Sequence, residues 1–175
     1  EFRRVLFRSY CDSNFISLGV TALTGTAASL IRGQTLHSWG GLGLAKDSAL
    51  NIVNRLKRRP REYQHWKSVQ VLIIDEVSMM STELFNKIHN IAQTIRQKNE
   101  FFGGIQLVLS GDFAQLDPIG SDKYCFESKL WMTHVDPNTI YFPNVIRQAD
   151  PIFRRVLANI RLGRLTEEDK IGRAH

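Results

Sequence analysis

Asp75 and Glu76 are adjacent carboxylates that end an apolar run, Val69 to Ile74. One carboxylate suits a magnesium ion, a hard cation that takes oxygen ligands, and its neighbour suits orientation of an attacking water. Taken alone, the pair fits equally a buried strand followed by a polar turn. A second stretch, Leu109 to Ile119 (LSGDFAQLDPI), has the same form: an apolar run ends, Gly111 permits a tight turn, and Asp112 and Gln115 follow. The Gln115 amide both donates and accepts hydrogen bonds, so it suits a γ-phosphate oxygen or an attacking water. The alternative there is an ordinary turn with a structural Asp. His65, His89 and His134 show no metal-ligand spacing with Cys11 or Cys125, so no zinc is expected.

These groups need elements to hold them. Val69 to Ile74 is short and almost wholly β-branched or aliphatic, which predicts a strand covered on both faces of a parallel sheet. Its carboxyl end is where open α/β sheets bind ligands, which makes Asp75-Glu76 a Walker B arrangement of the kind found in nucleotide hydrolases. Phe15 to Leu23 and Ile105 to Leu109 read as further strands, and Asn138 to Phe142 as a fourth. A short helix is expected over Ala27–Ile31, broken by Gly33. Ser48 to Arg58 carries apolar residues at helical spacing, with Asp47 or Ser48 as N-cap. Pro60 ends that helix or starts the next, which carries Tyr63 and Trp66. Beyond Ser81 and Thr82, the residues Leu84, Phe85, Ile88, Ile91, Ala92 and Ile95 make one apolar helical face, with Gly103-Gly104 ending the segment. Pro151 to Leu162 is predicted helical, and Thr166-Glu167-Glu168 starts another helix. Strands alternating with helices imply an α/β fold with a doubly wound parallel sheet.

The two ends call for separate treatment. Glu1–Ser9 (EFRRVLFRS) and Ile171–His175 (IGRAH) resemble translated sequencing-adapter sequence and are set aside as a cloning scar would be. With them go Arg3, Arg4, Arg8, Arg173 and Glu1, and the net charge falls from +6 to +3. A basic balance is then weak evidence for nucleic-acid binding. The remaining residues 10–170 amount to one domain able to bury a core. The two cysteines are too few for a disulfide framework. No apolar stretch approaches a membrane span. Arg55–Arg61 (RLKRRPR) surrounds a proline, lacks interleaved aromatics and reads as a solvated helix end.

Five co-linear segments together carry a resemblance. LIIDEVSMM (Leu72–Met80) followed by GDFAQLDPI (Gly111–Ile119) resembles the petite-integration-frequency (PIF) DNA helicases, superfamily-one motors that move 5′ to 3′. VTALTGTAASLIRGQTLHSWGGL (Val20–Leu42) is similar to that family's first DNA-contact motif. Tyr124-Cys125-Phe126-Glu127-Ser128, with Trp131, resembles its Phe-x-Phe-x-Ser…Trp segment, and Asn144–Gly163 its next motif, with Arg147-Gln148 at the core.

The resemblance implies a RecA-like P-loop NTPase fold, with residues 10–170 part of the first motor domain (1A). It implies ATP and magnesium as ligands and single-stranded and forked DNA as partners, without a membrane. Asp75 would hold magnesium and Glu76 would polarise the hydrolytic water. Asp112 would belong to the nucleotide site, where Gln115 would sense the γ-phosphate and Arg147 would clamp it. A guanidinium matches phosphate oxygens bidentately; without the family, a surface ion pair of Arg147 with Asp150 is the preferred reading. Thr24, Thr26, Thr35, His37 and Ser38 would bind the DNA backbone without reading bases. Trp39 is placed in the core rather than against a base. Repair, recombination and telomere maintenance are roles the resemblance suggests, with nucleus or mitochondrion as location in a eukaryote.

Two departures stand out. No G-x-x-x-x-G-K-[ST] loop occurs, although such a loop and its lysine cradle the phosphates in P-loop enzymes. The expectation is a fragment of the first motor domain, truncated at both ends and inactive alone. Leu116-Asp117-Pro118 stands where the family usually has Leu-Pro-Pro, which bears on the shape of that turn. The rival readings are another superfamily-one motor (RecD-like, or a relaxase-helicase) and a nucleic-acid-binding module without ATPase activity.

Overall fold

The computed structural model describes residues 2–142, 148–164 and 166. The chain divides into two compact units, residues 1–137 and 138–175.

The first unit is built on a four-stranded sheet in the order β2-β1-β3-β4, formed by β1 (Leu18–Ala22), β2 (Gln34–Thr35), β3 (Val71–Asp75) and β4 (Gln106–Leu109). Every neighbouring pair is parallel. Its helices are α1 (Phe2–Ser13), α2 (Gly25–Leu30), α3 (Leu36–Trp39), α4 (Ala49–Leu56), α5 (Pro60–Ser68), α6 (Thr82–Arg96) and α7 (Lys129–His134). The Phe2–Ser9 stretch set aside as adapter-like is drawn into α1, and the Arg8 guanidinium donates to the carbonyl of Arg32 at 3.2 Å. The second unit carries α8 (Pro151–Arg161), capped by Asp150, whose Oδ1 accepts from the amide of Ile152 at 2.8 Å. Among the described residues no helix is long and apolar enough to cross a membrane.

The α6 periodicity does what a single apolar stripe requires. Phe85, Ile88, Ile91, Ala92 and Ile95 are all buried, in one cluster with Leu72 and Ile74 of β3 and Ile52, Val53 and Leu56 of α4. Ser81 caps α6 by accepting from the amide of Leu84 at 3.1 Å, and Ser48 caps α4 by accepting from Asn51 at 3.2 Å. Pro60 opens α5 at the first turn, where its missing N–H costs nothing. Gly19 faces the same core; a Cβ there would lie 2.8 Å from Leu72 and 3.0 Å from Trp39. On the opposite face, Ala22 packs with Ala27 and Ala28 of α2 in a small second cluster. Along β3, Val71, Leu72 and Ile74 are buried and Ile73 is half-buried.

Two expectations change. Asn138–Phe142 is not a strand: Asp136–Asn138 is a single 3-10 turn, and residues 139–142 have no regular structure. A β-prone run becomes a strand only with a paired neighbour; the fourth strand is the two-residue β2. Gly103-Gly104 does not end α6. That helix stops at Arg96, Gln97 adopts the left-handed cap conformation (φ 54°), and the glycines form a separate turn. The helix expected from Thr166 lies, beyond that residue, outside the described residues.

Candidate functional site

Parallel pairing sends the carboxyl ends of all four strands to one edge. Ala22 lies opposite Asp75, and Ile74 opposite Leu109. Backbone hydrogen bonds then tie the emerging loops together. The Leu23 amide donates to the Asp75 carbonyl at 3.2 Å, the Val77 amide to the Ser110 carbonyl at 3.0 Å, and the Ser110 amide to the Ile74 carbonyl at 3.1 Å.

Asp75 is 9% exposed at the head of β3, and its Oδ1 accepts from Ser110 Oγ at 2.5 Å. Glu76 is half-buried and left-handed, with φ 56° and ψ 43°. A non-glycine residue in that region carries backbone strain that its surroundings must hold in place. Ser78, two residues on, is fully buried, and its Oγ has no hydrogen-bond partner among the described residues.

Gly111 turns the β4 loop past this acid turn, for a reason other than the expected one. Its φ is not in the left-handed region. What excludes a side chain is proximity: a Cβ would sit 2.8 Å from the Val77 amide nitrogen and 3.2 Å from that of Ser78. Asp112 then organises the loop. Its Oδ1 accepts from the Ala114 amide at 3.1 Å, and its Oδ2 from Gln115 Nε2 at 3.2 Å. Gln115 is exposed on the loop after β4, at the same sheet edge as the acid pair. Arg147 lies outside the described residues.

The hydroxyl-rich residues gather on the other side of β3. Thr24 caps α2, its Oγ1 accepting from the Ala27 amide at 3.2 Å, and Thr35 caps α3, accepting from Ser38 at 3.2 Å. Each hydroxyl keeps its proton for donation. Thr26 and Ser38 are exposed, and His37 is half-buried. Burial pulls the His37 imidazole below its ordinary value, so the ring is neutral near pH 7 and offers a hydrogen bond rather than a charge. Trp39 is buried, stacked on His65 at 5.6 Å and edge-on to Trp66 at 5.0 Å, and is a core residue.

In the basic stretch, Arg55 pairs with Asp47 at 2.5 Å and Arg59 approaches Glu62 at 3.8 Å, while Lys57, Arg58 and Arg61 are exposed. Both cysteines are buried free thiols, and burial pushes Cys125 up to about 12, which leaves it inert. Among the described residues no three His, Cys, Asp or Glu side chains form a metal cage. The oxygen donors of Asp75 and Ser110 suit an ion bound through one or two protein ligands and completed by phosphates, which is how magnesium is held at nucleotide sites.

The sequence model of the PIF1-like helicases matches residues 7–170. The chain belongs to the PIF1-like helicase family. Membership decides against the RecD-like and relaxase-helicase alternatives. The chain is 44% identical over 152 residues to the human ATP-dependent DNA helicase PIF1, covering 85% of this chain and 23% of that protein. It is 42% identical over 154 residues to PIF1 of Emericella nidulans (85% and 20%), and 40% identical over 156 residues to the helicase RRM3 of Saccharomyces cerevisiae (86% and 21%). The chain thus spans a fifth to a quarter of the length of these PIF1-like relatives. The crystal structure of the Pif1 helicase from Candida albicans superposes with a TM-score of 0.88 at 38% identity, covering 95% of this chain and 38% of that one. A Bacteroides Pif1 in complex with ADP-AlF3 and ssDNA shares the fold at TM-score 0.69 and 24% identity. The parallel sheet is that of a RecA-like PIF1 motor domain.

Within this PIF1-like domain, sequence reasoning missed the strained Glu76, the Ser110–Asp75 hydrogen bond and the buried Ser78 hydroxyl. Only the last two have any sequence signal, a serine beside each acidic or glycine turn.

Proposed function

We propose that the chain is part of the first motor domain of an ATP-dependent DNA helicase that couples ATP hydrolysis to movement along single-stranded DNA and to unwinding of forked duplex. One observation carries this reading. The Leu23–Asp75 and Val77–Ser110 backbone hydrogen bonds join the Thr24–Ser38 region, the acid pair and the Gln115 loop at one sheet edge. A displacement of the Gln115 loop on loss of a phosphate is thereby passed to residues suited to the DNA backbone.

Asp75 and the Ser110 hydroxyl would hold magnesium. When bound, magnesium neutralises charge on the β- and γ-phosphate oxygens. Glu76 accepts a hydrogen bond from the attacking water and orients it, from a backbone conformation that fixes where its side chain starts. Gln115 leaves Asp112 to meet the γ-phosphate, and Arg147 supplies positive charge to it. Thr24, Thr26, Thr35, His37 and Ser38 donate hydrogen bonds to DNA phosphates, which suits a motor that must cross every sequence. The 175-residue chain has no phosphate-cradling Gly-Lys-Ser/Thr loop. Alone it is expected to release phosphate only at background rate.

The test uses the full-length protein that carries this segment. Glu76→Gln should reduce DNA-stimulated phosphate release by about 100-fold or more while nucleotide binding persists, in line with loss of a positioned general base. A Glu76→Gln protein that hydrolyses ATP at the unaltered rate refutes the assignment. A full-length protein that binds DNA but never hydrolyses ATP restores the binding-module reading.

A further inference from the structure

The loop after Gln115 and the segment around Tyr124 meet in a contact that the proposed chemistry does not use. The Tyr124 hydroxyl donates to Asp117 Oδ1. The Asp117 carboxylate in turn holds the Tyr124 phenol above its ordinary value. These are two positions at which the sequence differs from the motifs it resembles, with Asp in a Leu-Pro-Pro turn and Tyr at the first place of Phe-x-Phe-x-Ser.

The Tyr124 end of this contact is firmly based. The Cys125 amide donates to the Met80 carbonyl at 3.0 Å, the Thr82 amide to the Lys123 carbonyl at 3.2 Å, and Thr82 Oγ1 to the Tyr124 carbonyl at 2.5 Å. Tyr124 therefore stands on the segment that leaves the Asp75-Glu76 turn. Its own amide donates to Glu127 Oε1 at 2.8 Å, and the Glu127 amide donates to the Tyr124 carbonyl at 3.1 Å. The ring stacks on Phe126 at 5.0 Å, and Phe113 of the Gln115 loop meets Phe126 edge-on at 4.8 Å. Gln115 is thus bracketed. On one side it is tethered to Asp112 (3.2 Å), and two residues beyond it the chain is tethered through Asp117 to Tyr124. A proline at position 117 would restrain the loop through its ring and through the residue before it. Aspartate gives up that restraint and is free to accept a hydrogen bond instead.

We propose that Asp117 and Tyr124 are a matched pair of positioning residues that hold the Gln115 loop against the acid turn, replacing backbone restraint with a side-chain tether. The pair acts by setting where Gln115 starts. The inference rests on the reading of Gln115 as a phosphate sensor, and its test separates the two.

In the full-length protein, Tyr124→Phe and Asp117→Ala should each lower kcat for DNA-stimulated ATP hydrolysis by about two- to tenfold, the range of one net hydrogen bond, with KM for ATP unchanged. The double variant should lose no more than either single one, because both remove the same contact. Asp117→Pro combined with Tyr124→Phe should recover most of the rate. Amide hydrogen exchange of residues 113–117 should quicken in the single variants and slow again in the rescued one, with exchange elsewhere unchanged as the check on folding. Losses that multiply in the double variant, or exchange that does not respond, overturn the tether. If Gln115→Ala leaves hydrolysis intact, the sensor reading fails, while exchange still reports on the tether by itself.

Discussion

Ser110 Oγ donates to Asp75 Oδ1 at 2.5 Å across two neighbouring parallel strands. The bond joins the last residue of β3 to the residue that follows β4, and it fixes the rotamer of a carboxylate that is almost fully buried. A side chain held this way keeps one orientation at the carboxyl end of β3. Ser110→Ala should therefore act on metal use more than on stability. In the full-length protein the magnesium concentration for half-maximal ATP hydrolysis should rise, and the unfolding free energy should fall by about 1 kcal/mol, as for one hydrogen bond with a partly exposed partner. A magnesium titration superposable on that of the unaltered protein rejects the role.

Gly111 is a steric requirement rather than a conformational one. A methyl group at this position would be 2.8 Å from the Val77 nitrogen, and that amide is already bound to the Ser110 carbonyl. Relief requires moving the backbone directly behind Glu76. Gly111→Ala should lower stability by about 1–3 kcal/mol, the usual cost of overpacking, read as a shifted denaturant midpoint with an unchanged slope. Hydrolysis should fall further than that stability loss explains, because the displaced atoms lie next to the acid pair.

Arg96 closes the other end of the sheet layer. Its Nε donates to the Gly103 carbonyl at 2.7 Å, and its Nη1 lies within 3.2 Å of the Trp66 carbonyl, 3.0 Å of Lys67 and 2.9 Å of Val69. One guanidinium thus collects the carbonyls at the end of α5, just before β3 begins, and joins them to the turn after α6. Arg96→Ala should cost about 2–4 kcal/mol, since several acceptors lose a charged donor at once. Arg96→Lys should recover less than half of this, because an ammonium lacks the planar fork needed to span both groups. Equal thermal stability of the lysine and unaltered proteins would contradict the geometry.

The parts of the fold legible in the sequence are those fixed by local pattern. The apolar run before Asp75 and the stripe of Phe85, Ile88, Ile91, Ala92 and Ile95 follow from composition and periodicity, and of the two cap candidates before α4, Asp47 and Ser48, the structure uses Ser48. What local pattern does not reach is pairing. Gln34–Thr35 is too short to signal a strand and exists because β1 offers it an edge. Ile140, Tyr141 and Phe142 have strand-like side chains and remain exposed outside any strand. The candidate site divides the same way. Asp75, Glu76 and Gln115 are visible as residue types after apolar runs, but their shared sheet edge depends on strand order. The left-handed Glu76 and the Cβ-free approach of Gly111 to Val77 are products of loop packing between strands 35 residues apart at Asp75 and Ser110.

His89 gives the domain a pH dependence whose sign follows from its surroundings. The ring is buried on α6 beside Phe101 and Phe102, and its Nδ1 accepts from the Phe102 amide at 3.1 Å. That acceptor role assigns the neutral ring with its proton on Nε2. Burial first, and then the charge of His134, hold the His89 pKa below its ordinary value, and burial does the same to His37. The unfolded chain, with ordinary histidines near about 6.5, therefore binds protons that the folded chain refuses. The stability supplied by the neutral rings is complete above that pH and is lost as the pH falls through the lower folded values. Protonation of His89 would also break its bond to Phe102 and place a cation among aromatic rings. Melting temperature should be flat from about pH 8 to 7 and fall on acidification below about 6.5. In His89→Gln the slope on the acid side should be shallower, with the His37 contribution remaining, and the starting stability lower. A melting profile in that variant with the full acid slope would show that the dependence arises elsewhere.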